Sequence, residues 1–169
     1  MAHEADEVDR IVEAWTLQRP DLDFSPLEVL SRVDRLSRHL DRARRDAFRR
    51  SDLEPWEWDV LSALRRAGEP FQLSPKQLLQ QTLVSSGTMT NRIDRLVGRR
   101  LVRREQDPDD GRSILVILTE DGRTRVDAAI TRLVDAEALL LSGLSRADRE
   151  RIAGLLRKLS LGFDTSGAL

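Results

Sequence analysis

The apolar residues of this chain keep helical spacing over most of its length and break it once, between residues 101 and 118. There "LVRREQDPDDGRSILVIL" holds two short runs rich in apolar and β-branched side chains, Leu101 to Arg104 and Ile114 to Leu118, on either side of a polar Asp/Pro/Gly loop. Two such runs with turn residues between them read as a β-hairpin. The pattern on both sides is helical, so the chain has to fold as packed helices that carry one small β appendage.

The helices mark their own starts. Ser25-Pro26-Leu27-Glu28 and Ser74-Pro75-Lys76-Gln77 each combine an N-cap serine, a proline at the first helical position and Glu or Gln three residues after the cap. From Ser25 the seam Leu27, Leu30, Val33, Leu36, Leu40, Ala43, Ala47 predicts a long helix over 25–48. "PWEWDVLSALRR" predicts a helix from Pro55 to Arg66, "SPKQLLQQT" a very short one, and residues 85 to about 99 another. Beyond the hairpin, Thr119 caps a helix with the seam Val126, Ile130, Leu133, Glu137, Leu140, Leu144, and Ser145 with Asp148 opens a last one through Ile152, Leu155, Leu156 and Leu159. "EVDRIVEAW" adds a short amphipathic helix near the N-terminus, closed by Pro20.

Two adjacent short helices followed by a two-stranded wing make a winged helix-turn-helix. The expected fold is mainly α with a small β-hairpin wing. It divides into an extra N-terminal helix (1–20), a helical dimerisation region (21–52 and 119–169) and a winged helix-turn-helix DNA-binding domain (53–118).

With 169 residues the chain is long enough to bury a proper core without staples. It has no cysteine, which removes disulfides, thiolate nucleophiles, thiol switches and Cys-based zinc sites. His3 and His39 are too far apart in sequence for a metal-ligand spacing, so no metal or cofactor is expected. There is no P-loop, no G-x-G-x-x-G and no Ser/His/Asp set that two histidines can complete, and the expectation is that the protein is not an enzyme. The acidic start "MAHEADEVDR" has no apolar run and nothing approaches a membrane span, which predicts a cytoplasmic protein.

A net charge of -1 conceals a strong polarity. Residues 1–23 carry seven acids and two arginines, whereas 85–104 carry six arginines and one aspartate. Phosphate is bound by a local basic surface, so a neutral total does not count against nucleic acid. Lys76 and Lys158 are the only lysines among 28 basic residues, so it is the placement of arginine, not its abundance, that carries information.

That placement is most telling in "SSGTMTNRIDRL", residues 85–96. Met89, Ile93 and Leu96 form the apolar stripe. Thr88, Asn91 and Arg95 then project outward, with Arg92 and Arg99 on one flank. A helix entering the major groove needs a small N-terminus, hydroxyls and free N–H groups for phosphates, and Asn or Arg for base edges. A winged helix used for protein contacts predicts a more apolar or acidic face. On the hairpin tip "DPDDGRS", Arg112 is placed to reach the minor groove, with Asp107 or Asp110 holding its base.

Together these residues resemble the MarR family of winged-helix regulators. The resemblance rests on the "SSGTMTNRIDRL" helix, on the wing's D-x-x-D-G-R (Asp107, Asp110, Gly111, Arg112) and on the following L-T-x-x-G (Leu118, Thr119, Gly122), and it covers about residues 26–160. It implies a homodimer on a pseudo-palindromic double-stranded DNA operator, contacted by Ser85, Ser86, Thr88, Thr90, Asn91, Arg95 and Arg112. One departure stands out: the family usually has Gly before the first wing strand, and Arg100 occupies that place here, with Gly98 two residues earlier.

An extra N-terminal helix bearing Trp15, an Asp in "EWDVL" and an Arg in "TNRIDRL" further resemble the branch of the family that responds to urate and related anionic metabolites, including trans-aconitate and citrate. The resemblance implies a pocket of Trp15, Asp59, Arg92 and a wing-strand arginine, Arg104, or Arg103 if the register slips by one. In that pocket Asp59 would pair with Arg92 and an anionic effector would compete for it. The identity of the anion, and repressor against activator, stay open at this point.

Overall fold

The computed structural model describes residues 5–82, 84–108, 110–111 and 113–164. The elements run α1 (Glu7–Gln18), α2 (Ser25–Arg49), α3 (Pro55–Arg66), β1 (Gln72–Leu73), α4 (Pro75–Gln81), α5 (Ser86–Gly98), β2 (Val102–Gln106), β3 (Ile114–Leu118), α6 (Glu120–Leu140) and α7 (Arg146–Asp164). None of these helices is long and apolar enough to cross a membrane. Mainly α with a small β wing, the architecture is a winged helix-turn-helix set among long helices.

The capping residues explain most of the boundaries. Ser74 Oγ accepts from the Gln77 amide at 3.2 Å while Gln77 Oε1 accepts from the Ser74 amide at 2.8 Å, which closes the expected box on α4. Ser85 caps α5 and Thr119 caps α6 without a returning bond, their hydroxyls accepting from the amides of Thr88 and Gly122. At α2 the structure corrects the expectation. Phe24 is the N-cap and Ser25 is already helical, because the Asp23 carboxylate accepts from the Ser25 amide and hydroxyl, each at 2.9 Å, and leaves the serine no capping role.

The wing also differs from the expected hairpin. It is a three-stranded antiparallel sheet in the order β1-β3-β2, with Gln72 facing Ile117 and Val102 facing Leu118. A two-residue strand is too short to show alternation, and its partner lies over forty positions downstream, so the local pattern does not reveal β1. The first wing strand is shifted as well, from the expected 101–104 to Val102–Gln106.

Met89, Ile93 and Leu96 are fully buried, as their spacing requires, in a core shared by α2, α3, α4, α5, the sheet and α6. Helix α5 ends at Gly98; Arg99 caps it in the right-handed region, and Arg100 takes the left-handed conformation at φ +60. The Arg100 amide then donates to the Val97 carbonyl and the Leu101 amide to Leu96, so the chain turns sharply into β2 without a glycine.

Leu101 is pinned at the base of the wing. Its carbonyl accepts from the amide and the hydroxyl of Thr119. Gly122 lies so close that a Cβ there would stand 2.1 Å from that carbonyl oxygen and 2.9 Å from Leu118 Cδ1. Backbone cannot give way as a flexible side chain can. Gly122→Ala is therefore expected to lower stability by about 1–3 kcal/mol, read as a drop in the thermal or urea midpoint.

Candidate nucleic-acid interface and the cavity behind it

The outward face of α5 is exposed along its length, from Ser85, Ser86, Gly87 and Thr88 through Thr90 and Asn91 to Arg95. Some of its hydroxyls are engaged locally: Ser85 Oγ lies 2.9 Å from Thr88 Oγ1, and Thr90 Oγ1 donates to the Ser86 carbonyl. The amides of Ser86 and Gly87, at the first two helical positions, have no acceptor within the helix by its geometry. A Cβ on Gly87 would meet nothing of this chain within 4 Å, so packing within the fold does not require glycine there. Arg112 lies outside the described residues. Around it, the Asp107 amide donates to the Ser113 carbonyl at 2.9 Å, and the Ser113 hydroxyl donates to Asp110 at 2.6 Å.

The flank of α5 toward α3 carries Arg92 and Arg99, and Arg95, at the border with the outward face, also reaches α3. Arg99 Nη1 donates to Glu57 at 2.5 Å, while its Nη2 donates to the Asp52 carboxylate at 2.7 Å and the Asp52 carbonyl at 2.9 Å. Glu57 is 1% exposed, and its carboxylate also accepts from the Glu54 amide at 2.9 Å at the head of α3. Asp52 sits in the left-handed region at φ 53 and also pairs with Arg125 of α6, so one corner ties α2, α3, α5 and α6 together. Arg95 lays its guanidinium over the ring of Trp56, 4.5 Å from the centroid.

Arg92 is the most enclosed of the three. Its Nη1 stands 3.7 Å from Asp59 Oδ2, an ion pair longer than a hydrogen bond. Among the described residues it is the one buried side-chain nitrogen or oxygen without a hydrogen-bond partner. Partial burial pushes the Asp59 carboxyl above the ordinary range, and the Arg92 charge pulls it part of the way back.

Asp59 also stands on the wall of a cavity of about 450 Å³ between α2, α3 and α6. Arg44, Arg45 and Asp41 supply its charged rim, and Phe48 and Trp58 its aromatic side, stacked with centroids 4.9 Å apart and planes 15° from parallel. Arg44 is already paired with Glu137 at 3.0 Å.

The four residues of the expected pocket are therefore only partly gathered. Asp59 and Arg92 meet each other. Arg104 extends from β2 to Asp94 of α5 at 2.6 Å, whereas Arg103 pairs with its neighbour Glu105, so of the two wing arginines it is Arg104 that touches the recognition helix. Trp15 is half-exposed, stacks on Phe24 at 6.1 Å and is not part of the cavity lining. Its helix is held to α2 by Arg32, which pairs with Asp6 and Asp9 and holds both carboxyls below the ordinary range.

Trp56, Glu57, Asp52 and Arg125 did not stand out in the sequence as site residues. The Glu54-x-x-Glu57 spacing signals a helix start, but nothing local marks Glu57 as the buried partner of an arginine 42 positions away.

A helix with this exposed hydroxyl, amide and guanidinium face, set after a short helix and before a wing, defines a winged helix-turn-helix DNA-binding protein. The comparisons with known proteins agree: the chain belongs to the MarR family of transcriptional regulators, whose members are not enzymes. The MarR family model matches residues 51–113. The chain is similar to the HTH-type transcriptional regulator PecS of Dickeya dadantii, 33% identical over 153 residues covering 90% of this chain and 92% of that one. It is also similar to the HTH-type transcriptional repressor NicR of Pseudomonas putida, 31% identical over 86% of this chain and 93% of that one. Among solved structures, BpsR of Bordetella bronchiseptica, described for the regulation of its DNA binding by 6-hydroxynicotinic acid, superposes with a TM-score of 0.58 at 31% identity, covering 76% of this chain and 92% of that one.

Two measurements follow from the inner face of α5. Arg99→Ala strands the buried Glu57 carboxylate and is expected to cost about 3 kcal/mol, seen in chemical denaturation. Asp59 behaves in the opposite way. Its folded value is raised, so the folded protein holds that proton more tightly than the unfolded chain, and stability falls as pH rises from the ordinary carboxylate range through the raised value. Above that window the penalty is constant, and Asp59→Asn is expected to melt at the same temperature as the parent or slightly higher at pH 7.

Proposed function

We propose that this protein is a homodimeric repressor that binds a pseudo-palindromic operator and is released by a small anionic metabolite. The observation that carries the reading is the position of Asp59, which stands on the cavity wall and at the same time against Arg92, on the inner side of the helix whose outer face reads DNA. An anion entering beside Arg44 and Arg45 repels the Asp59 carboxylate and competes for Arg92. The ion pair then loosens and α5 shifts in the groove. The Phe48–Trp58 stack favours a planar ring, which places urate-like or carboxylated aromatic anions ahead of citrate or trans-aconitate. NicR's description as a repressor and the control of BpsR by 6-hydroxynicotinic acid support the same reading.

In this proposal Ser85, Ser86, Thr88, Thr90, Asn91, Arg95 and Arg112 face the operator, and Trp15, Asp59, Arg92 and Arg104 form the effector set. The dimer is assigned to the helical region of residues 21–52 and 119–169 with the extra helix. Its apolar seam is uncovered in the single chain: Val29, Leu30 and Leu36 of α2, Val134 of α6, and Leu155, Leu159 and Phe163 of α7 are exposed. A two-fold dimer sets the two α5 helices about 34 Å apart, one turn of DNA.

The test is a duplex selected by the protein from a random-sequence pool, followed by gel-shift binding at fixed salt. A two-fold symmetric site is expected. Arg95→Ala weakens binding by about five- to a hundredfold and lowers the salt slope by about one if the contact is to phosphate. Millimolar urate or 6-hydroxynicotinate, with citrate and trans-aconitate alongside, releases the parent several-fold to a hundredfold. Arg92→Ala and Trp15→Phe blunt that release. No selected site, or an Arg95→Ala variant with unchanged affinity and salt slope, overturns the operator reading; release by none of the four anions overturns the effector reading.

A further inference from the structure

The regulator described above uses Arg92 and Arg95 and leaves unassigned the ring that lies against both. Trp56, on α3, is half-buried and packed against the core. The Arg95 guanidinium carbon is 4.5 Å from its ring centroid and that of Arg92 is 5.9 Å away. The two arginines are three residues apart on α5, so their side chains leave the helix on the same side. One points to the exposed face and the other to Asp59.

A guanidinium is drawn to the negative face of an indole, and tryptophan gives the strongest such contact. A guanidinium held over a ring by this attraction makes no conventional hydrogen bond to it, so its N–H donors remain for a phosphate or a guanine edge. Arginine also has among the largest side-chain entropies, and a ring that holds it before DNA arrives lowers what binding has to immobilise. Plain packing explains why an aromatic residue fits at position 56, but not why two charged side chains with different tasks converge on it.

We infer that Trp56 is a positioning residue for operator recognition: its ring holds Arg95 in its DNA-facing pose, and because Arg92 leans on the same ring, a displacement of Arg92 reaches Arg95. The inference rests on Arg95 as a DNA contact. It adds a route from the effector side of α5 to its reading side that passes through a side chain of α3.

A double-mutant cycle on the selected duplex tests it, with Trp56→Leu, Trp56→Phe, Arg95→Ala and Trp56→Leu/Arg95→Ala, each checked by its melting curve. Trp56→Leu is expected to weaken binding about two- to fivefold, with Trp56→Phe between it and the parent. The double variant binds like Arg95→Ala alone. If the two losses multiply instead, the ring acts through packing and the inference fails while the operator reading stands. If Arg95→Ala has no effect, the reading of Arg95 fails and the inference falls with it. The second half of the route is read in Asp59→Asn, whose effect on operator affinity disappears in a Trp56→Leu background; an undiminished effect there overturns the relay. Should Trp56→Leu melt below the assay temperature, Trp56→Phe carries both cycles.

Discussion

The pose of the recognition helix depends on a buried carboxylate. Glu57 is nearly free of solvent, and its carboxylate accepts from the Arg99 guanidinium and from an amide at the head of its own helix. Burying an ion costs more than most single contacts return, so such a group is tolerated only where its partner is held in place. Arg99 is the C-cap of α5, and the same guanidinium reaches Asp52, which Arg125 grips from α6. The C-terminal end of α5 is thereby fixed to the corner where α2, α3 and α6 meet, before any contact with DNA.

Moving along the inner face of α5 toward its start, the restraints become looser. Arg99 makes short hydrogen bonds, Arg95 a face contact with Trp56, and Arg92 a long ion pair with a half-exposed carboxylate. A rod pinned at one end and lightly held at the other pivots about the pinned end. In the proposed mechanism the N-terminal half, which carries Ser86, Thr88, Thr90 and Asn91, is therefore the half that an anion at Asp59 displaces. Helix α3 serves both sides, since Trp58 and Asp59 line the cavity while Trp56 and Glu57 hold α5. Successive side chains of a helix turn by about 100°, so four consecutive residues of α3 reach both the cavity and α5.

Much of this was legible in the chain. The capping residues Ser74, Ser85 and Thr119 announce their helices because a cap is a contact between residues three apart. The stripe of Met89, Ile93 and Leu96 gives the buried side of α5, and so also its outer face. The Asp59–Arg92 contact was reached through family resemblance and not through spacing, since the two are 33 positions apart. Strand β1, the Asp23 brace that displaces Ser25 from its cap, and the convergence of three α5 arginines on α3 were not legible. Each depends on where a distant or competing group comes to lie.

The sequence by itself determined the order of the helices, the two-stranded part of the wing between 101 and 118 and the chemistry on the exposed side of α5, because periodicity and caps act over one or two turns. It also set aside thiol chemistry by composition alone. Only the tertiary structure decided which arginine meets which partner, that Arg104 and not Arg103 reaches α5, and that Asp59 stands between a cavity and the recognition helix. Those pairings follow from how α3, α5 and β2 are packed together, which is set by the shared core and not by any segment of it.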